Sequence, residues 1–176
     1  FDALAGNIKE LMERIDALTA EFSSPILIEQ YIEGREIYMG VLGNAPPEAL
    51  PPVELDLSHL PKGTPRIAGT EVKWNEGSRA YRGSKIRLPK LPKPVHETME
   101  RYALGAFQAL GLRDYARIDF RLAGETVYLI EANPNPYLHS GHEFIRGARA
   151  SGRTHPATIL EILELARVRY AGALPR

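Results

Sequence analysis

The chain has 176 residues, enough for one domain of ordinary size or for two small lobes that share a core. Its 22 basic and 22 acidic side chains balance, which excludes the basic excess typical of proteins that bind nucleic acid without sequence preference. The absence of cysteine excludes disulfides, thiolate metal sites and cysteine nucleophiles. No apolar run reaches the length that a membrane-spanning helix needs, so we predict a cytoplasmic protein without nucleic-acid or membrane partners.

The first residues predict a helix followed by two strands. Apolar residues from Leu4 to Leu18 recur every three or four positions, which predicts an amphipathic helix over residues 3–21 with Asp2 as its N-cap. Residues 26–32 and 36–43 then predict two strands joined by a turn at Gly34. Because the chain lacks a starting Met and enters a helix almost at once, we expect it to be part of a longer protein.

Residues 44–94 have a different composition, rich in proline, glycine and basic side chains. Short strands are predicted at 53–57 and 85–88, with long connections over 64–69 and 75–83. Connections of this length are often functional, and we predict that they form a lid.

The last part of the chain returns to regular structure. Four elements are predicted in it, in chain order: a helix from Val95 to Leu110 ended by Gly111, a hairpin of residues 116–122 and 126–132, a short helix over 143–150, and a last helix capped by Thr154. The whole order of elements predicts an α+β fold in which helices pack on a largely antiparallel sheet.

The strongest chemical signal lies in the predicted hairpin. Because residues two apart in a strand face the same way, Arg117 and Asp119 share one face of the first strand, and Glu131 and Asn133 share one face of the second. If the strands pair, these oxygens form the ligand set that Mg²⁺ prefers. We predict two Mg²⁺ ions, with Mn²⁺ as an alternative, bridged by Glu131 with Asp119 and Asn133 as outer ligands. Arg117 would face a transferring phosphate.

The opposite positions of the hairpin are apolar. We predict that all four of them fill the core: Ile118, Phe120, Tyr128 and Ile130. The polar set also has a plainer interpretation, in which Arg117 forms surface ion pairs with Asp119 and Glu131.

A second signal lies in residues 28–36. A strand that leads into a glycine turn can present backbone N–H and C=O groups to a flat base, with apolar contacts from Ile28, Tyr31 and Ile32. Glu36 is then placed to accept hydrogen bonds from ribose hydroxyls. A plain hairpin with charged edges is the alternative.

Three segments together resemble the C-terminal part of the ATP-grasp domain of the D-alanine–D-alanine ligases: residues 29–36, 116–120 and 129–134. The resemblance implies the following roles: adenine binding by Glu29, Gln30, Tyr31 and Ile32, ribose binding by Glu36, phosphate covering by Lys73, metal binding by Asp119, Glu131 and Asn133, and stabilisation of the phosphoryl group and the later tetrahedral intermediate by Arg117.

The same resemblance divides the chain into an adenine-binding part (1–43), a loop-rich part that covers the phosphates (44–94) and a metal-binding core (95–176). Full members of the family also have an N-terminal substrate domain and a glycine-rich phosphate loop, which this sequence does not contain. We therefore expect the isolated chain to be inactive.

The implied activity is that of an ATP-dependent carboxylate–amine ligase, which forms an amide bond through an acyl phosphate. Its substrates would be a small carboxylate and an amine, such as amino acids, and a homodimer is a candidate assembly. The alternatives are a nucleotide- or metal-binding module without catalysis and a Mg²⁺-dependent phosphohydrolase.

The loop after Asn133 departs from the family pattern. Tyr137 stands where the ligases have a glycine whose amide helps to bind the reacting carboxylate, and Ser140 is a candidate substrate contact. His139 and His142 either touch substrate or are simply solvated. These differences leave D-alanine in question as the substrate.

Overall fold

The computed structural model of the chain describes residues 4–58, 60, 66–67 and 85–171. Six strands form one sheet: β1 (Arg35–Leu42), β2 (Glu48–Ala49), β3 (Val53–Asp56), β4 (Lys85–Arg87), β5 (Tyr115–Ala123) and β6 (Thr126–Asn133). The strand order is β4-β3-β1-β5-β6, with β2 beside β1, and every pairing is antiparallel. The predicted α+β fold with a largely antiparallel sheet is confirmed.

The described residues also form helices α1 (Ile8–Glu21), α2 (Lys93–Ala109), α3 (Glu143–Ala150) and α4 (His155–Ala171). Helix α1 begins five residues later than predicted because Asn7, and not Asp2, is its cap. The Asn7 Oδ1 atom accepts the Glu10 N–H at 3.0 Å, and Glu10 Oε2 accepts the Gly6 N–H at 2.7 Å. This reciprocal capping satisfies backbone donors at the helix start. Asp2 lies outside the described residues.

Helix α2 covers one face of the sheet. Alternate residues of the two central strands point to it and are fully buried, namely Ile37, Met39 and Val41 of β1 with Ala116, Ile118, Phe120 and Leu122 of β5. Val95, Met99 and Phe107 of α2 pack against them at helical spacing. Gly111 follows the helix with φ +62°, as its predicted role as a helix stop requires.

Helices α3 and α4 pack on the opposite face, at the end of β1. Phe144, the second residue of α3, contacts β1 at Gly40, where an added Cβ would lie 3.0 Å from the Phe144 ring. The glycine therefore permits close approach of α3 to the sheet. Thr154 Oγ1 accepts the Ala157 N–H at 3.3 Å, which confirms the predicted cap of the last helix. Among the described residues, no helix has the length and apolar character needed to cross a bilayer.

The predicted strand over residues 26–32 is wrong. This segment is irregular, and Leu27 and Ile28 are 80% and 57% exposed. A strand needs a pairing partner, and among the described residues none pairs with this segment. Gly34 does not close a hairpin. It crosses β5 so closely that a Cβ would overlap the Leu122 carbonyl.

The prediction that Tyr128 and Ile130 fill the core is also wrong. Asp119 pairs with Glu131 but the next residue, Phe120, pairs with Leu129, so β6 has a bulge at Ile130. A bulge resets the alternation of faces. Ile130 and Tyr128 are therefore turned from the α2 side and are 50% and 40% exposed.

The middle of the chain matches the prediction where it is described. Strands β3 and β4 lie at the predicted short strands, and β2 was not predicted because two residues give too short a pattern. The predicted long connections lie outside the described residues, except for positions 66 and 67.

Candidate functional site

A cavity of about 330 Å³ opens on the sheet face opposite α2. The residues that line it come from separate parts of the chain: Leu4, Glu29, Gln30, Tyr31, Ile32, Glu36, Ile67, Asp119, Phe120, Arg121, Ile130 and Glu131. The structure thus brings residues 29–32 and Glu36 next to Asp119 and Glu131. The predicted phosphate residue Lys73 lies outside the described residues.

The pairing of β5 with β6 places the predicted metal ligands on one face. Asp119 stands opposite Glu131, and Arg117 stands opposite Asn133. Since paired residues of antiparallel strands point to the same side, all four side chains face the cavity side of the sheet. Sequence alternation alone predicted this grouping, because it requires only the strand period and the hairpin register.

Arg117 is buried and held from several directions. Its Nε and Nη2 atoms donate to the two carboxylate oxygens of Asp119 at 2.7 and 2.8 Å, and Nη1 donates to Glu143 Oε2 at 3.3 Å. The guanidinium also lies over the Tyr38 ring, 4.7 Å from its centroid. Burial alone would lower the pKa of Arg117, but the hydrogen bonds and charge of Asp119, with Glu143 beside it, raise this pKa above its usual value. The group stays cationic.

Glu36 occupies the other side of the cavity. Its Oε1 atom accepts the Tyr38 hydroxyl at 2.5 Å, and its Oε2 atom lies 3.4 Å from Nη2 of Arg121. Burial raises the pKa of Tyr38 well above its ordinary value, and the negative charge of Glu36 adds to this effect. The Tyr38 hydroxyl therefore stays protonated and donates a hydrogen bond to the Glu36 carboxylate.

Arg121 is a residue of the cavity that the sequence analysis missed. It donates from Nη1 to the carbonyl oxygens of Gly34 at 3.3 Å and Arg66 at 2.7 Å, and it lies 5.8 Å from the centroid of the Tyr31 ring. It stands two residues after Asp119, so the same alternation that grouped Arg117 with Asp119 could have found it.

The oxygens of Asp119, Glu131 and Asn133 suit a hard cation, but they would supply only part of its coordination shell. Among the described residues no three acidic or histidine side chains already enclose a metal position. Glu131 is exposed, and Asn133 Oδ1 accepts the Asn135 N–H at 3.3 Å. Carboxylate and amide oxygens on one face fit Mg²⁺, which commonly takes one or two protein carboxylates and completes its shell with water and phosphate oxygens.

The loop after β6 contains Tyr137 and Ser140, the predicted substrate contacts. Neither residue lines the cavity, but the loop lies next to the predicted metal ligands. The Tyr137 ring stacks on His142 with centroids 5.0 Å apart, and the His139 ring meets His142 edge-on at 5.6 Å. His142 Nδ1 lies 3.8 Å from Glu143 Oε2, close to the Arg117 group. Ser140 is part-exposed on the same loop. The two histidines thus belong to one ring cluster with Tyr137.

The fold is that of the C-terminal part of an ATP-grasp ligase. The solved structure of D-alanine–D-alanine ligase from Bacillus anthracis complexed with ATP matches 94% of this chain with a TM-score of 0.73. The matched region is 49% of that chain, and the sequence identity is 21%, so this likeness concerns the fold alone.

Residues 4–164 match the family model described as D-ala D-ala ligase C-terminus, and the chain belongs to that family. It is 31% identical over 163 residues to the D-alanine–D-alanine ligase of Desulforudis audaxviator. The aligned region covers 92% of this chain and 49% of that protein. It is 28% identical over 165 residues to the uncharacterized protein y4sG of Sinorhizobium fredii, covering 93% and 47%. The chain spans about half the length of these relatives.

Proposed function

We propose that this chain supplies the ATP- and metal-binding part of an ATP-dependent carboxylate–amine ligase. The observation that carries the proposal is the register of β5 and β6, which sets Asp119 against Glu131 at the edge of the cavity lined by residues 29–32 and Glu36. Membership of the D-ala D-ala ligase C-terminus family supports the same reaction class.

The nucleotide would lie in this cavity. Tyr31 and Ile32 offer apolar surface to a base, and the irregular backbone of residues 29–32 has no strand partner among the described residues, so its polar groups can serve a base edge. Glu36 would accept hydrogen bonds from ribose hydroxyls. A carboxylate oxygen can accept more than one hydrogen bond, and Glu36 lines the cavity.

Mg²⁺ would be held by Asp119, Glu131 and Asn133, and Mn²⁺ by the same oxygens. When bound, the metal supplies positive charge to the phosphate oxygens of ATP. The protein holds Asp119 for this purpose, because both of its oxygens are oriented by the bidentate contact with Arg117. A carboxylate oxygen that accepts a hydrogen bond can also coordinate a cation.

Arg117 would stabilise the phosphoryl group during its transfer. It would later stabilise the negatively charged oxygen of the tetrahedral intermediate. A guanidinium has five N–H donors, and the described contacts with Asp119 and Glu143 use three of them. The remaining donors, on Nη1 and Nη2, can serve an oxyanion. Preplaced charge of this kind commonly makes a large contribution to catalysis.

The reaction would join a small carboxylate to an amine, such as two amino acids. The carboxylate oxygen would attack the γ-phosphorus of ATP and ADP would leave; the amine would then attack the acyl carbon and phosphate would leave. Tyr137 and Ser140 are our candidate substrate contacts and Lys73 our candidate phosphate contact. The homodimer and the cytoplasmic location stay predictions.

The test is the dependence of ATP use on added substrates. We expect the full-length protein to convert ATP to ADP over many turnovers only when Mg²⁺, an amino-acid carboxylate and an amine are all present, with a dipeptide detected by mass spectrometry. Phosphate release without any acceptor would instead identify a phosphohydrolase. ATP binding without turnover across a panel of D- and L-amino acids would identify a non-catalytic module.

A further inference from the structure

Tyr38 connects the two ends of the candidate site. It lies in the middle of β1, two residues after Glu36 and directly opposite Asp119 of β5. Its side chain is 2% exposed, and its two ends have different partners. The hydroxyl donates to Glu36 at 2.5 Å, while the ring face carries the Arg117 guanidinium at 4.7 Å.

We propose that Tyr38 is a positioning residue that holds the ribose carboxylate Glu36 through its hydroxyl and the phosphoryl arginine Arg117 through its ring. The inference rests on the proposed function, because the roles of Glu36 and Arg117 come from it. It adds Tyr38 to the candidate site, a residue that lies outside both the β5–β6 hairpin and the segment over residues 29–36.

The hydroxyl contact sets the orientation of Glu36. A hydrogen bond from a neutral donor to a carboxylate is short and strong, and this one lies in a buried environment where water competes little. With Arg121 on the other oxygen at 3.4 Å, the carboxylate plane is fixed by two partners. The group can then meet ribose hydroxyls without first losing side-chain freedom.

The ring contact sets the position of Arg117. Asp119 and Glu143 bind the guanidinium at its edge, and the Tyr38 ring supports its face. A cation over an aromatic face is attracted by the ring quadrupole, more strongly when both are desolvated. Tyr38 is itself fixed by packing against Leu55, Leu57, Leu60 and Ile86, so it can act as a rigid support.

Two substitutions separate the two contacts. Tyr38→Phe removes the hydroxyl and keeps the ring, so it should affect Glu36 and leave Arg117 in place. Tyr38→Met replaces the ring with a smaller, flexible apolar side chain and removes both contacts. Tyr102 of α2 is the matched control, because Arg101 lies over its ring at 5.4 Å on the other side of the sheet and away from the cavity.

The first measurement is nucleotide binding to the full-length protein by calorimetry, with the β,γ-imido analogue of ATP and its 2′- and 3′-deoxy forms. In the unsubstituted protein, loss of a ribose hydroxyl should weaken binding. In Tyr38→Phe that preference for the intact ribose should shrink by about fivefold. Tyr38→Met should in addition lower kcat by about tenfold relative to Tyr38→Phe. Tyr102→Phe and Tyr102→Met should change neither quantity.

The outcomes distinguish this inference from the proposed function. If the unsubstituted protein binds none of the nucleotides, the proposed function is wrong. If it prefers the intact ribose and Tyr38→Phe keeps that preference in full, the proposed function survives and the role of the hydroxyl is overturned. A kcat for Tyr38→Met equal to that of Tyr38→Phe overturns the role of the ring. Should Tyr38→Met fail to fold, Tyr38→Phe still decides the role of the hydroxyl, and Tyr38→Leu takes the place of Tyr38→Met in deciding the role of the ring.

Discussion

Glu143, the first residue of α3, reaches Arg117 of β5 across 26 positions of the chain and accepts its Nη1–H at 3.3 Å. The contact ties the helix on the cavity side of the sheet to the centre of the candidate site. It also completes a row of ionic contacts in which Arg117 lies between Glu143 and Asp119.

We predict that Glu143→Gln lowers kcat of the full-length enzyme by about tenfold, because Arg117 loses one of the two charged partners that orient it. Steady-state ligase kinetics measure this effect. Glu97→Gln on α2 is the control, since Glu97 pairs with Lys93 at 3.6 Å on the exposed surface. Equal kcat values for the two variants would contradict the positioning role of Glu143.

A second prediction concerns Arg121. Arg121→Met keeps the length of the side chain but removes the contacts with Glu36, Gly34 and Arg66. We expect the dissociation constant for ATP to rise by about tenfold, since the segment that lines the cavity loses its charged support. Calorimetric titration measures it, with Arg101→Met as the control. Wild-type affinity in Arg121→Met would exclude Arg121 from the nucleotide site.

A third prediction concerns the stability of the end of the sheet near α4. Asp114 has φ +66°, an uncommon conformation for a residue other than glycine. It exchanges hydrogen bonds with Asn44 at 2.8 and 2.9 Å and accepts from Arg169 of α4 at 2.6 Å. Asp114→Ala should lower the free energy of unfolding by about 2 kcal/mol, because it removes the bonds that the carboxylate accepts from Asn44 and Arg169 and leaves an alanine, which has no side-chain hydrogen bond, at positive φ.

Asp114→Asn should lower the free energy of unfolding less than Asp114→Ala does, because asparagine tolerates positive φ and keeps the bonds with Asn44. Denaturant unfolding of the three proteins gives the ranking. Glu164→Ala is the control, since its ion pair with Arg167 is exposed, and we expect no measurable change. A larger loss in Asp114→Asn than in Asp114→Ala would contradict this explanation.

The pH dependence of stability follows from the same contact. The hydrogen bond from Arg169 lowers the pKa of Asp114, burial opposes this, and Asn44 adds to the lowering. The pKa of Asp114 in the folded protein is therefore below the unfolded value of about 3.9. The ionised carboxylate contributes its full share to the free energy of unfolding above that pH, and this share is lost as the pH falls toward the folded pKa. The difference in melting temperature between wild type and Asp114→Asn should therefore shrink below about pH 4. A constant difference down to about pH 2 would contradict it.

The parts of the site that depend on local geometry could be predicted from the sequence. The shared face of Arg117 and Asp119 needs only the strand period, and their meeting with Glu131 and Asn133 needs only a hairpin. The same rule failed at Ile130, because one bulge reverses every face that follows it. Bulges have no strong signal in a single sequence.

The parts that depend on distant packing could not be predicted in this way. The contact of Glu143 with Arg117 depends on how α3 packs against β1 at Gly40. The contact of the Tyr38 ring with Arg117 depends on the pairing of β1 with β5. Residues 26–32 have high strand propensity, but a strand forms only where another strand pairs with it. These relationships are properties of the assembled sheet.

The most direct test of the central claim is Mg²⁺-dependent ATP turnover in Glu131→Gln. This substitution keeps the size of the side chain but removes the charge that would bind the cation, opposite Asp119 on the neighbouring strand. Glu125→Gln, in the turn of the same hairpin, is the control. We predict that Glu131→Gln loses about 100-fold or more of the turnover at an unchanged melting temperature, whereas Glu125→Gln keeps wild-type activity. Wild-type turnover in Glu131→Gln would contradict the proposed metal site and the enzyme class that depends on it.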